Sequence, residues 1–112
     1  MSDERTFDPT LIQREEEDGV GAYYYPVEGA VRPAVLTWRS GGGRTGADDV
    51  RVVDHTFTPP EARGRGIAAG LVDAIVADAR AEGFRIAPLC PYVVRAFGKN
   101  PDWADIRADL PR

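Results

Sequence analysis

The chain has 112 residues and a mass of 12.2 kDa, room for one domain and not for two. Apolar residues make up 43% and charged residues 29%, the balance of a globular chain rather than a disordered one. A net charge of −4 argues against nonspecific duplex binding, and one cysteine with one histidine excludes an internal disulfide and a multi-histidine metal cage.

No apolar run is long enough to cross a bilayer. The start, Met1-Ser2-Asp3-Glu4-Arg5, has no apolar stretch behind it and does not read as a signal peptide. A cytoplasmic location follows as the expectation, with Cys90 reduced, no metal, no membrane and no nucleic-acid partner, in a monomer or weak homodimer.

Residues 1–10 are polar and are expected to be a flexible terminus, leaving 11–108 as a single domain. Leu11 to Arg14 and Gly21 to Val27 read as two strands, joined through the acidic turn Glu15-Glu16-Glu17-Asp18-Gly19, whose Asp-Gly supplies a positive φ. Ala34 to Arg39 is a third strand. Ser40 to Gly46 is glycine-rich but lacks the Gly-Lys-Ser/Thr ending of a phosphate loop and reads as a mobile connector. Val50 to Thr58 is a fourth strand, stopped by Pro59-Pro60.

The clearest helix runs from about Arg65 to Glu82 and stops at Gly83. Ile67, Leu71, Ile75 and Ala79 recur every four residues with Val72 and Val76 beside them, so one face is buried. Phe84 to Leu89 returns as a strand. Strand, helix, strand in that order predicts parallel neighbours. Pro91 opens a short last helix, Tyr92 to Phe97, before Gly98.

Chemistry concentrates in Thr56-Phe57-Thr58-Pro59-Pro60-Glu61-Ala62-Arg63-Gly64-Arg65-Gly66-Ile67-Ala68. A strand ends at a proline bend, an Arg-Gly-Arg-Gly turn follows, and a helix begins. A helix N-terminus leaves its first N–H groups unpaired and carries roughly half a positive charge. Glycines let those amides approach a phosphate closely, and Arg63 and Arg65 add charge. The same glycines also suit a tight turn with no ligand at all. The spacing is neither the dinucleotide fingerprint nor a Walker loop.

This segment, led by His-Thr-x-Thr-Pro and trailed by Pro-Leu-Cys-Pro-Tyr-Val, resembles the GNAT superfamily of N-acetyltransferases, and more narrowly its small single-domain YjdJ-type members. The superfamily signature is Gln/Arg-x-x-Gly-x-Gly/Ala. Gly64 and Gly66 match its glycines, whereas Glu61 departs from its first position. The likeness is dense from His55 to Trp103. Asn100-Pro101-Asp102-Trp103 stands where the small subfamily ends in His-Pro-Glu-Tyr, so that histidine is lost.

The resemblance implies an α/β (α+β) fold with a mixed, mostly antiparallel sheet of about five strands, one long helix and one or two short ones. It implies acetyl-CoA as acetyl donor, with the pyrophosphate on the amides of Arg63, Gly64, Arg65, Gly66, Ile67 and Ala68. The pantetheine arm would lie along the backbone of Thr56, Phe57 and Thr58, and an amine would attack directly in a ternary complex. The acceptor would be a small amine or a lysine-containing molecule. A free lysine has a pKa near 10.4, so stripping its proton at pH 7 costs about 4.6 kcal/mol, and a base, a water chain or desolvation must offset part of that. His55 is a candidate base or a packed strand residue. Cys90 is a candidate acetyl acceptor or proton donor to departing CoA, or a small buried hydrophobe. A non-catalytic acyl-CoA-binding or partner-binding module with the same fold is the alternative.

Overall fold

The computed structural model describes residues 7–41 and 49–110. Its five strands are β1 (Gln13–Glu17), β2 (Val20–Tyr25), β3 (Ala34–Ser40), β4 (Val50–Phe57) and β5 (Arg85–Pro88). They form one sheet in the order β1-β2-β3-β4-β5, antiparallel except for the parallel pair β4 and β5. Helix α1 (Ile67–Glu82) makes the β4-to-β5 connection, and α2 (Pro91–Lys99) follows β5. The mixed, mostly antiparallel sheet is the GNAT-like arrangement expected.

Helix α1 buries the stripe its spacing predicts: Ile67, Leu71, Val72, Ile75, Val76 and Ala79. They pack with Tyr23, Leu36, Trp38 and Phe84 into the main core. Gly83 ends the helix at φ 87°, its N–H bonded to the Ala79 carbonyl. The helix starts at Ile67 and not Arg65, because Gly66 has φ 77°, outside the helical region.

Two other expectations are corrected. Pro9–Leu11 is a 3-10 turn, and β1 runs through the glutamates expected in a turn. The turn shrinks to Asp18-Gly19, at φ 51° and 82°, the two positive values a two-residue hairpin loop needs. Strand β1 lies at the sheet edge, where exposed charges discourage pairing with another chain, so Glu15 to Glu17 sit there without burial cost. Phe7 and Asp8 contact the sheet: the Phe7 ring centroid lies 4.8 Å from that of Tyr25, and the Asp8 N–H donates to the Tyr25 hydroxyl at 2.9 Å.

Helix α2 extends through Gly98 to Lys99, and an unanticipated 3-10 segment, Pro101–Ile106, brings Trp103 and Ile106 into the core. Arg107 then bridges to Ile86 alongside β5. The connector expected over Ser40 to Gly46 falls mostly outside the described residues; Ser40 itself ends β3. None of the described helices is long and apolar enough to cross a membrane.

Candidate active site

Strands β4 and β5 pair only from Val50↔Arg85 to Val53↔Pro88. There they are pinned: the N–H groups of Leu89 and Cys90 both donate to the Val53 carbonyl at 3.0 Å. Strand β4 then continues through Phe57 while β5 has ended. Asp54 to Phe57 therefore keep β3 on one side and have no strand on the other. Backbone groups left without a ladder partner need another acceptor or donor, and an extended ligand can supply it.

A bulge lies at the head of this free stretch. Thr37 pairs with His55 and Trp38 with Val53, which leaves Asp54 as the extra residue. The Thr37 hydroxyl donates to the Asp54 carboxylate at 2.7 Å, and the Arg39 guanidinium stands 3.8 Å from it. Sequence pattern did not single out Asp54. A bulge leaves no mark in an alternating run, and two consecutive exposed residues, Asp54 and His55, are its only trace.

Opposed residues on paired strands share a face. Thr56 lies opposite Leu36, on the α1 side, whereas His55 lies opposite Thr37 and is exposed on the other side. Phe57 shares the His55 face, with the Arg32 guanidinium 4.2 Å from its ring centroid. Cys90, 8% exposed, meets Thr56 across the opening: Thr56 Oγ1 and Cys90 Sγ are 3.5 Å apart. The two candidate catalytic residues thus do not come together. Cys90 joins Thr56 on one face of β4, and His55 stands on the opposite face.

Cys90 is the N-cap of α2, although its side chain closes no cap hydrogen bond. Burial pushes its thiol pKa up. The Thr56 hydroxyl, with the N–H dipoles of Val93, Tyr92 and Thr56, acts the other way and prevails, so the pKa falls below the ordinary thiol value.

At the far end of β4, Pro60–Ala62 form a single 3-10 turn and the chain reaches α1 through Gly64 (φ 83°) and Gly66 (φ 77°). A cavity of about 200 Å³ opens there. Thr58, Arg63, Gly64, Gly66, Ile67 and Ala68 all line it, with Ala62, Ala69 and Tyr92. Arg65, half-buried, does not line it. A Cβ on either glycine would meet no heavy atom within 4 Å, so the glycines are not there to relieve crowding within the protein. The N-cap Gly66 offers no side-chain hydrogen bond, and the first turn of α1 has no acidic residue. The positive end of a 16-residue helix is therefore left uncompensated at the cavity. These features fit an anionic phosphate group: a helix N-terminus, positive φ at both glycines, a clear approach and Arg63 at the rim, although the Arg63 N–H is already bonded to the Pro60 carbonyl. Among the described residues no cluster of three or more His, Cys, Asp or Glu could hold a metal ion.

The described residues thus form a mixed sheet parted between its fourth and fifth strands, with a glycine turn at the N-terminus of the helix that joins them. A model of the GCN5-related N-acetyl-transferase family matches residues 22–106, most of the chain, and the protein belongs to that family. No curated protein matches it.

Proposed function

We propose that the protein is an acetyl-CoA-dependent N-acetyltransferase that moves the acetyl group to an amine by direct attack in a ternary complex. The observation that carries this reading is that one continuous segment, Asp54 to Ala68, offers a free strand edge at one end and an open phosphate cradle at the other. When bound, acetyl-CoA supplies an activated acyl group.

The protein's own contribution is placement. Backbone groups of Thr56, Phe57 and Thr58 would hold the pantetheine arm as a neighbouring strand would. The amides from Gly64 to Ala68, with Arg63, would hold the pyrophosphate. Fixing both reactants in line is the main catalytic contribution of such a site. A backbone N–H beside the bulge would polarise the acetyl carbonyl.

The faces of β4 divide the remaining tasks. Cys90, whose thiol pKa is lowered, sits on the α1 side and suits proton delivery to the departing thiolate. His55 is exposed on the opposite face, where an approaching ammonium group would give up its proton. A small amine or a lysine-containing molecule in the cytoplasm is the acceptor in this reading.

The test is incubation with acetyl-CoA and a panel of primary amines, with mass detection of acetylated product and of released CoA. Stoichiometric product supports the proposal. Tight binding of acetyl-CoA with no transfer to any amine would leave a non-catalytic acyl-CoA-binding module instead.

A further inference from the structure

The cofactor's tail has a recognisable place, given the acetyl-CoA reading on which this inference rests. A second cavity, about 240 Å³, lies between α1 and α2. It shares Ala69 and Tyr92 with the cavity at the glycine turn, so the two adjoin. Tyr92, Arg95, Ala96 and Lys99 stand at i, i+3, i+4 and i+7 of α2 and all line it. Arg95 and Lys99 are exposed, and neither side chain makes a hydrogen bond or ion pair with another described residue.

The charges facing this groove are few. From α1 comes Asp73, and from α2 Arg95 and Lys99; Tyr92 stays neutral, its phenol pKa raised by burial and by Asp73. From the segment after α2 come only Asn100 and Trp103. Two cations against one carboxylate leave the groove net positive.

A competing path exists on the other side of α1. A cavity of about 470 Å³ there also reaches Gly66 and Ala69, and it is the larger of the two. Its one ionisable lining residue is Asp73. An anion leaving the glycine turn is thus repelled on that side and attracted on the α2 side. Charge decides here, not volume.

Coenzyme A carries, beyond its pyrophosphate, a 3′-phosphomonoester on the ribose with a charge of roughly −1.5 to −2 at neutral pH. We infer that the groove between α1 and α2 receives this 3′-phosphate, and that Arg95 and Lys99 are its contacts. These two side chains then let the enzyme distinguish CoA from the same molecule lacking that one phosphate.

The experiment compares Kd for CoA and for dephospho-CoA by titration calorimetry, on the wild-type protein and on Arg95→Gln/Lys99→Gln. The expected result is that wild type binds CoA at least tenfold more tightly, about what one hydrogen bond to a charged group contributes. In the double variant the ratio falls to about one, while Kd for dephospho-CoA stays where it was. Added salt narrows the wild-type ratio, since the contacts are exposed. Equal affinity of wild type for the two ligands overturns the inference with no variant needed. So does a double variant that keeps the full preference. Failure of the acetyl-CoA reading looks different, because then neither ligand binds. Circular dichroism confirms that the variant is folded.

Discussion

Gly66→Ala separates strain from ligand contact. At φ 77° an L-residue costs roughly 1–2 kcal/mol relative to glycine. The new methyl meets no heavy atom within 4 Å, so no steric term adds to that cost in the free protein. For a domain of about this size each kcal/mol lowers Tm by roughly 4–8 °C. Gly29 provides the matched control: its φ is 85°, its surroundings are equally open, and it lies in the β2–β3 connection and lines neither the glycine-turn cavity nor its neighbours. Both variants should lose similar stability in thermal unfolding. They should part in acetyl-CoA titration. The Gly66→Ala methyl enters the cavity where a phosphate must approach the amides, and loss of one or two charge-assisted contacts weakens binding by about 10- to 100-fold. Gly29→Ala should bind as wild type does. If the two variants bind acetyl-CoA equally, the glycine turn is a tight connection and nothing more.

Cys90 should react with iodoacetamide with a pH midpoint below that of an ordinary thiol, Thr56→Val should raise the midpoint, and acetyl-CoA should protect the sulfur; alkylation indifferent to acetyl-CoA would place Cys90 outside the site. Arg14, ion-paired with Glu82, Asp78 and Glu16, holds the Glu82 carboxyl below its ordinary value of 4.5. The folded chain then keeps a charge that the unfolded chain has already neutralised, so this stabilisation is complete above 4.5 and is lost as pH falls through the lower folded value. Arg14→Gln should flatten the acid limb of a denaturation-against-pH curve, modestly because the pair is partly exposed; an unchanged limb would show that the cluster contributes nothing.

What the sequence disclosed about the fold follows from where packing and local chemistry agree. Helix α1 shows a four-residue apolar recurrence, a glycine stop and one buried face, three signals pointing the same way. Strand β1 was harder. Its residues Gln13-Arg14-Glu15-Glu16-Glu17 have no apolar alternation, because an edge strand of this sheet need not bury a side chain. Its pairing is imposed by β2 through the two-residue turn, a non-local constraint that composition does not reveal. The same holds for Pro101–Ile106, whose Trp103 is drawn in by an edge-on contact with Phe97, ring centroids 5.0 Å apart.

At the candidate site the division lies between backbone and side chain. The glycine turn was legible because it demands glycine, and a required residue type is visible in one sequence. The parting of β4 from β5 requires no residue type at all. It arises because β4 is eight residues long and β5 four, with Val53 accepting two N–H groups where the pairing stops. The Asp54 bulge is equally silent, yet it fixes the face each later residue takes. Only with Thr37 paired to His55 and Leu36 to Thr56 does Thr56 come within 3.5 Å of Cys90 while His55 turns to the opposite face. Had the alternation run unbroken from Val53, His55 would share that residue's buried face and Thr56 would stand on the other, away from Cys90. One inserted residue therefore determines which of the two candidate groups looks toward the helix side of the opening and which toward the opposite face of the sheet.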